Sequence, residues 1–433
     1  MINGTNTKIS SDTRINNNPK AYNNATTNIS AKMDIDENTN NNLTNIVSTF
    51  KYVLICEHIF GIHRFFFDKG QLMPPNWKKR TYALLLLIVY LYLFVYFLNI
   101  PKNVISNDNL VVVIDEIPYC VLLFQFVVTM IATNVFSNRS IMKIVTTLAD
   151  LDSGLIINNI DIFYREAGMK AKKYMLLLTV THVIIATADA IAEDKKLGSF
   201  IVFGPLYFIQ KLELVMFCLI IEMLRNRLVI INKYLTQFSK ETADNNGHIF
   251  VVNDETRANS FIGRPSENNM KIRHLAIMYD TIGSVCSMIN SVFNFQLFMT
   301  LVSAFIYIVI TIWTSVLYYQ TLAYNIGPLI SIIVLCVSTL LMVIIICYIC
   351  ERLRQVRRTT KILVNQIIMD YSLPKAMRVQ AKAFMELVDA WPLDILVYDM
   401  FNVDITLILK FISVSTTYLI IIIQISHFSS LTF

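Results

Sequence analysis

Polar side chains interrupt the carboxyl-terminal stretch of the chain, which is otherwise typical of a helix that crosses lipid. Residues 411–433 contain no Asp, Glu, Lys or Arg, and about 20 apolar residues span a bilayer. Residues three or four positions apart share one helix face, and this spacing defines a polar stripe of Lys410, Ser413, Thr417, Ile420 and Gln424. A polar group in hydrocarbon needs a partner or water. The polar stripe is therefore either buried against another helix or wetted as the lining of an ion path, which hydrophobic neighbours can close by dewetting.

The composition of the whole chain indicates a protein that crosses the membrane several times. Of its 433 residues, 55% are hydrophobic and 16% are charged, and the mean hydropathy of +0.53 exceeds what one soluble core requires. Apolar runs predict seven transmembrane helices: 81–100, 117–136, 174–192, 200–221, two between 281 and 350, and one from 405. We therefore expect an all-α membrane protein.

The basic residues predict the orientation of these seven helices. Segments 1–80, 137–173, 222–280 and 351–404 hold 32 of the 37 Lys and Arg residues, whereas the loops on the other side hold three. Because loops rich in Lys and Arg stay in the cytosol during insertion, we expect a cytosolic amino terminus and an extracellular carboxyl terminus. This orientation is opposite to that of G-protein-coupled receptors and excludes that class.

The organisation along the chain suggests four regions. Residues 1–48 are rich in Asn and predict a disordered cytosolic tail. Residues 49–350 contain an amino-terminal segment and transmembrane helices one to six, with a ligand pocket in their extracellular half. Residues 351–404 show amphipathic patterns on either side of Pro374 and predict a cytosolic helical region that extends the sixth helix. Residues 405–433 form the seventh helix. The 239–270 part of the preceding long loop lacks periodicity and predicts a flexible segment.

The residues that commonly perform catalysis or bind metals do not form a convincing set. The seven cysteines are scattered through apolar stretches and predict buried thiols rather than disulfides. Cys347 and Cys350 have no second pair nearby, and Cys56, His58 and His63 have no fourth candidate ligand. We expect no enzyme activity, no cofactor, no metal site and no nucleic-acid partner.

The extracellular halves of helices one to six are rich in aromatic residues, and a few polar residues accompany them. Such a set can form a pocket in which rings stack on a small molecule and polar groups orient it. About half of these Tyr and Trp residues are also explained by the interfacial aromatic belt. Asp189 pairs with Lys211 or meets a cationic ligand. The candidate ligand-binding residues are Tyr92, Tyr96, Tyr119, Thr187, Asp189, Tyr207, Gln210, Tyr307, Thr311, Trp313 and Thr314.

Two sequence segments resemble those of insect gustatory receptors. TTYLIIIIQI at 416–425 is similar to the T-Y-(five hydrophobic)-Q-F signature that ends the last helix of that family. Thr417, Tyr418 and Gln424 match the signature, whereas Ile425 stands where the family has phenylalanine. CEHIFGIHRFF at 56–66 resembles an early apolar stretch of the family that contains Gly. The long second and third cytosolic loops are also similar.

This resemblance implies a ligand-gated, non-selective cation channel in the plasma membrane of sensory dendrites, opened by a small-molecule tastant. It implies a homotetramer, or a hetero-oligomer with other receptors, in which the last helix of each subunit lines a central pore. The pore and gate residues would be Thr417, Ile420, Ile421, Gln424 and Ile425. The scarcity of hydrogen-bonding groups in the pocket favours a bitter or plant secondary compound over a sugar.

Two other functions remain as alternatives. A secondary transporter would show internal repeats or broken helices with charges at mid-membrane, and no repeat relates the seven runs. A channel subunit like the insect odorant receptors shares the predicted orientation and size but lacks the T-Y and Gln pattern. Lys410 lies roughly 21 Å from Gln424 along a helix, and we expect it to snorkel toward the cytosol or to meet Asp404.

Overall fold

The computed structural model describes residues 19–68, 70–98, 109–155, 157, 159–192, 197–244, 272–321 and 327–431. Two short antiparallel hairpins accompany the helices in these residues: β1 Phe66–Asp68 with β2 Gln71–Met73, and β3 Leu396–Val397 with β4 Phe401–Asn402. The α-helices of the described chain are α1 Pro19–Ile59, α2 Trp77–Leu98, α3 Asn109–Ile131, α4 Asn138–Gly154, α5 Ile160–Ala192, α6 Leu197–Asp244, α7 Ile272–Thr321, α8 Gly327–Met369, α9 Lys375–Ala390 and α10 Ile405–Leu431.

The described part of each predicted transmembrane run is helical, and the seven runs fall in α2, α3, α5, α6, α7, α8 and α10. A π-helical turn at Ala132–Phe136 completes the second run. By length and composition, five described stretches can cross a membrane, namely Trp77–Phe97, Tyr119–Phe136, Ile160–Ala188, Ile272–Ser315 and Leu329–Met369, and the apolar part of α10 at Ile405–Ile421 is shorter. The sequence prediction of an all-α membrane protein is confirmed.

The helix α6 occupies the centre of the bundle. Most of its side chains between Val202 and Leu235 are buried, including the charged Lys211, Glu213 and Arg227. A helix buried on most sides needs no polar face of its own. Its charged residues therefore lie in the interior, where each requires a partner.

Two groups of buried charged residues connect α6 to the segments around it. Arg64 Nε lies 3.0 Å from Glu57 Oε1, and its guanidinium also contacts Glu213 on α6. Arg227 Nη2 lies 2.5 Å from Asp152 Oδ2 on α4. Burial raises the pKa of Glu57 to about 7, although Arg64 opposes this shift. These contacts hold the stretch before α2, and also α4, against the central helix.

The helix α1 reaches into the region that the sequence assigned to the disordered tail. Residues 1–18 lie outside the described residues, but α1 begins at Pro19 and its side chains are described from Thr39. Leu43 and Ile46 are buried in the main core, where α1 packs on α4 and α5. Tertiary packing of these apolar residues stabilises a helix whose Asn-rich composition disfavours it locally.

The predicted helices after the sixth apolar run are present. The helix α8 continues without a break to Met369, and α9 begins directly after Pro374 and ends before Pro392. Phe384 and Val388 bury one face of α9 against α7 and α8. This packing gives the basic residues of the segment a solvent-facing side. The predicted flexible loop at 239–270 falls largely outside the described residues.

The linker between α9 and α10 is tied to α7 through the Trp391 ring and backbone. The Trp391 indole N–H donates to Asp280 Oδ1 at 2.7 Å, and Tyr279 donates its hydroxyl to the Trp391 carbonyl at 2.8 Å. Asn290 Nδ2 donates to the Asp394 carbonyl at 3.0 Å. The ring packs directly on Gly283, which has no side chain to displace it.

Replacing Gly283 by Ala is expected to lower the melting temperature of the purified protein in detergent. An ideal Cβ at this position lies 2.4 Å from Trp391 Cγ, and overpacking of this kind costs about 1–3 kcal/mol. The matched control is Gly168→Ala in α5, where a Cβ meets nothing within 4 Å. That change favours a helix by up to about 1 kcal/mol. Equal melting temperatures for the two variants would contradict the proposed role of the Trp391 contact.

Candidate functional site

The polar stripe on α10 faces away from the rest of the chain. Lys410, Ser413, Thr417, Ile420 and Gln424 are all exposed. The Thr417 hydroxyl donates to the Ser413 carbonyl at 3.1 Å, so its polarity is satisfied within the helix itself. The stripe is therefore not buried against another helix of the same chain.

The opposite face of α10 makes the contacts with the bundle. Leu407 is buried, and Ile408 and Phe411 pack against the main core. The Tyr418 ring lies 5.1 Å from the ring of Phe305 on α7, measured between centroids. Asp404 precedes the helix and accepts the Leu407 N–H at 3.0 Å.

Of the two alternatives predicted for Lys410, the contact with Asp404 is not formed, because Asp404 pairs with a residue of α8 instead. Arg354 Nη1 on α8 lies 3.1 Å from Asp404 Oδ2, whereas Lys410 is exposed one turn later on α10. The side chain of Ile425 lies outside the described side chains, and that of the candidate gate residue Ile421 is exposed. The base of α10 is thus connected to α8 by an ion pair.

A second buried cluster, distinct from the main core, contains several of the candidate ligand-binding residues. Tyr207 on α6 and Tyr307 on α7 are buried, and Tyr307 donates its hydroxyl to that of Tyr207 at 3.2 Å. The Tyr119 ring of α3 lies 4.3 Å from the Phe203 ring of α6. We call Tyr119, Phe203, Tyr207 and Tyr307 the aromatic layer.

Other candidate residues lie outside this layer. Tyr92 and Tyr96 stack on each other at 6.5 Å but are 68% and 60% exposed on α2. Thr187 is exposed on α5, and the side chain of Asp189 lies outside the described side chains. Thr311, Trp313 and Thr314 are partly buried near the end of α7.

A set of polar side chains lies directly beside the aromatic layer. Gln210 Nε2 donates to Gln125 Oε1 at 2.9 Å, and the Ser303 hydroxyl donates to the same oxygen at 3.3 Å. Lys211 is 3% exposed and donates to the hydroxyl of Ser338 on α8. We call these five residues the polar layer, and they come from four helices: α3, α6, α7 and α8.

Sequence reasoning found only part of these two layers. It identified Tyr119, Tyr207, Gln210 and Tyr307, but not Gln125, Phe203, Ser303 or Ser338. One signal was present, because Phe203, Tyr207 and Lys211 recur at four-residue intervals and share one face of α6. Ser303 and Tyr307 show the same interval on α7. The neighbours on α3 and α8 cannot be read from any single helix.

Metal ligands can be identified only among the residues that the structure describes. Among them, no group of three or more His, Cys, Asp or Glu residues is arranged to hold a metal ion. All seven cysteines are described as free thiols. Burial lowers the pKa of His63 to about 4, so its imidazole is neutral beside the ring of His58 at 5.0 Å.

A family model for the 7tm chemosensory receptors matches residues 50–427 of the chain, which is most of its length. The chain belongs to this family of chemosensory receptors. The match begins in α1 and ends within α10, so it includes the aromatic layer, the polar layer and the polar stripe. No curated protein matches the chain.

The fold of this receptor is also similar to a solved structure. The insect olfactory receptor OR5 from Machilis hrabei, solved in complex with eugenol, aligns with a TM-score of 0.57 at 10% sequence identity. The alignment covers 89% of the receptor chain and 100% of the OR5 chain. At this identity the likeness concerns the fold, which is that of a seven-helix insect receptor.

Proposed function

We propose that the receptor is a ligand-gated, non-selective cation channel of the gustatory type, with α10 of four copies lining a central pore. The exposed polar stripe on α10 is the observation that carries this proposal. Lys410 and Gln424 on the outer face of a membrane helix are costly in lipid, whereas the Thr417 hydroxyl is satisfied by a backbone carbonyl of the same helix. Symmetric assembly around the polar stripe places it in water, and Ile420 and Ile421 then supply hydrophobic rings that close the path by dewetting.

Other features support the same arrangement. The opposite face of α10 packs on α7 and α8, so the bundle holds the helix in one orientation. The distribution of Lys and Arg favours a cytosolic amino terminus. The gustatory signature at 416–425 favours the plasma membrane of a taste-neuron dendrite. The likeness to an olfactory receptor structure keeps an odorant-type ligand as the alternative, so volatile compounds belong in the test.

Whole-cell recording from cells that express only this chain tests the proposal. The cells receive a panel of plant metabolites, sugars and volatile aromatics. We expect a rapid cation current without added G protein, larger for bitter plant compounds than for sugars. Uptake of a compound without current would support the transporter instead. Co-expression with another receptor of the family distinguishes a homotetramer from a hetero-oligomer.

Replacing Ile425 by Phe is expected to reduce the resting current. Ile425 occupies the place of an aromatic residue in the gustatory signature, and a larger ring narrows the hydrophobic constriction that closes the pore. The matched control is Ile412→Phe, which adds a ring at an exposed position of α10 outside the polar stripe. Recording at a fixed surface density should show a lower resting current for the first variant alone. Unchanged resting current in Ile425→Phe would place the gate elsewhere.

A further inference from the structure

Lys211 is a buried cation whose ammonium group contacts no carboxylate among the described side chains. It lies in the middle of the predicted 200–221 span, and the Ser338 hydroxyl is the acceptor that its ammonium group contacts among the described residues. A primary ammonium group has three N–H donors. The buried Arg227 and the partly buried Arg225 of α6 differ in this respect, because Arg227 meets Asp152 and Arg225 meets Glu222. Within the described part of the chain, Lys211 therefore keeps unused donor capacity and a charge that no carboxylate compensates.

The polar layer contains a second donor without an acceptor. The carboxamide nitrogen of Gln125 is buried and has no hydrogen-bond partner within the described part of the chain. Its oxygen already accepts from Gln210 Nε2 and from the Ser303 hydroxyl. Buried donors are normally paired in folded proteins, and a buried charge is paired or serves a function. The group that the layer lacks is thus an acceptor with negative charge.

The aromatic layer lies one helical turn away from these donors. Tyr207 precedes Lys211 by four residues on α6, and Tyr307 follows Ser303 by four on α7, which corresponds to roughly 6 Å along each axis. Both tyrosine rings are buried and lie 6.3 Å apart. The two layers together suit a molecule with an aromatic body and an anionic end about one helical turn away.

We propose that the polar layer binds the carboxylate of an aromatic acid, with the ammonium group of Lys211 and the Gln125 amide as its donors. Charge-assisted hydrogen bonds of this kind are stronger than neutral ones, and the surrounding apolar side chains limit competition from water. The aromatic layer stacks on the ring of the ligand. The proposal deepens the proposed function by assigning a ligand class to the receptor, but binding itself does not require that the receptor is a channel.

The test measures binding separately from current. The full-length receptor is purified in lipid nanodiscs, and its melting temperature is followed with increasing trans-cinnamate or cinnamamide, which share a body and differ in charge. We expect cinnamate to stabilise the receptor at concentrations at least about tenfold lower than cinnamamide, which corresponds to a difference in binding free energy of about 1.4 kcal/mol. Lys211→Met and Lys211→Gln should abolish this preference. The control Lys143→Met, at an exposed position of α4, should keep it.

Each result separates the proposal from its alternatives. Lys211→Met removes a buried charge, so we expect this variant to fold. If Lys211→Met fails to fold, Lys211→Gln provides the same test, because its amide keeps hydrogen-bond donors but carries no charge. Equal stabilisation by the acid and the amide, no stabilisation by cinnamate, or a preference that survives both Lys211 variants would overturn the proposal. Binding of cinnamate with no current in any cell would instead count against the channel function and leave the carboxylate site intact.

Discussion

Replacing Arg64 by Met is expected to destabilise the receptor by about 3–5 kcal/mol, because removal of one partner leaves a buried charge uncompensated. Arg64 is fully enclosed between Glu57 and Glu213, and both carboxylates are buried. In the variant two acidic groups face each other without a cation. The stretch between α1 and α2 then loses its attachment to α6, and most of the protein should fail to reach the cell surface.

Thermal unfolding in detergent and surface labelling measure this effect. The control is Arg80→Met, which removes an exposed guanidinium near the start of α2 and should change the melting temperature little. The triple variant Glu57→Gln, Arg64→Met and Glu213→Gln removes all three charges and should recover much of the lost stability. A single Arg64→Met variant as stable as Arg80→Met would show that the trio contributes little to the fold.

The pH dependence of the same variant has a defined sign. Burial raises the pKa of Glu57 to about 7, whereas the ordinary pKa of a glutamate side chain is 4.5. Between these values the folded protein holds a proton that the unfolded chain has lost, so stability falls as the pH rises through this window. Arg64 lowers the pKa of Glu57 and so opposes the effect of burial. Removal of Arg64 therefore raises this pKa further and extends the pH range in which stability falls. The Arg64→Met variant should therefore lose more stability than the wild type between pH 5 and pH 8.

Replacing Tyr307 by Ala is expected to raise the half-maximal concentration of the best agonist by about tenfold or more, or to abolish the current. The Tyr307 ring is 4% exposed and its hydroxyl donates to Tyr207, so the change removes both a stacking surface and a hydrogen bond. Loss of about 1.4 kcal/mol of binding energy corresponds to a tenfold change. Tyr307→Phe keeps the ring and should cost less.

Dose-response recording at equal surface expression measures this effect. Tyr371→Ala, at a position 79% exposed after α8, is the neutral control. Tyr92→Ala discriminates between the two groups of candidate tyrosines, since Tyr92 lies on the exposed side of α2. A loss of response in Tyr92→Ala with a normal response in Tyr307→Ala would place the ligand at the outer pair of Tyr92 and Tyr96 instead of the aromatic layer.

The sequence by itself predicted the number and approximate bounds of the membrane helices. It also predicted the continuation of α8 past the sixth apolar run and the new start of a helix after Pro374. These features depend on local properties: the length of an apolar run, the period of an amphipathic pattern and the inability of proline to continue a helix. The signature at 416–425 likewise pointed to chemosensory receptors from a few adjacent residues.

Other features depended on which helices become neighbours. The helical content of the Asn-rich stretch follows from the burial of Leu43 and Ile46 against α4 and α5, and Lys211 contacts Ser338 on α8 rather than a carboxylate among the described residues. The outward direction of the polar stripe follows from the packing of Leu407 and Phe411 on the bundle. A sequence period specifies which residues share a face of a helix, but only the tertiary structure decides what that face meets, because the contacts join segments distant along the chain.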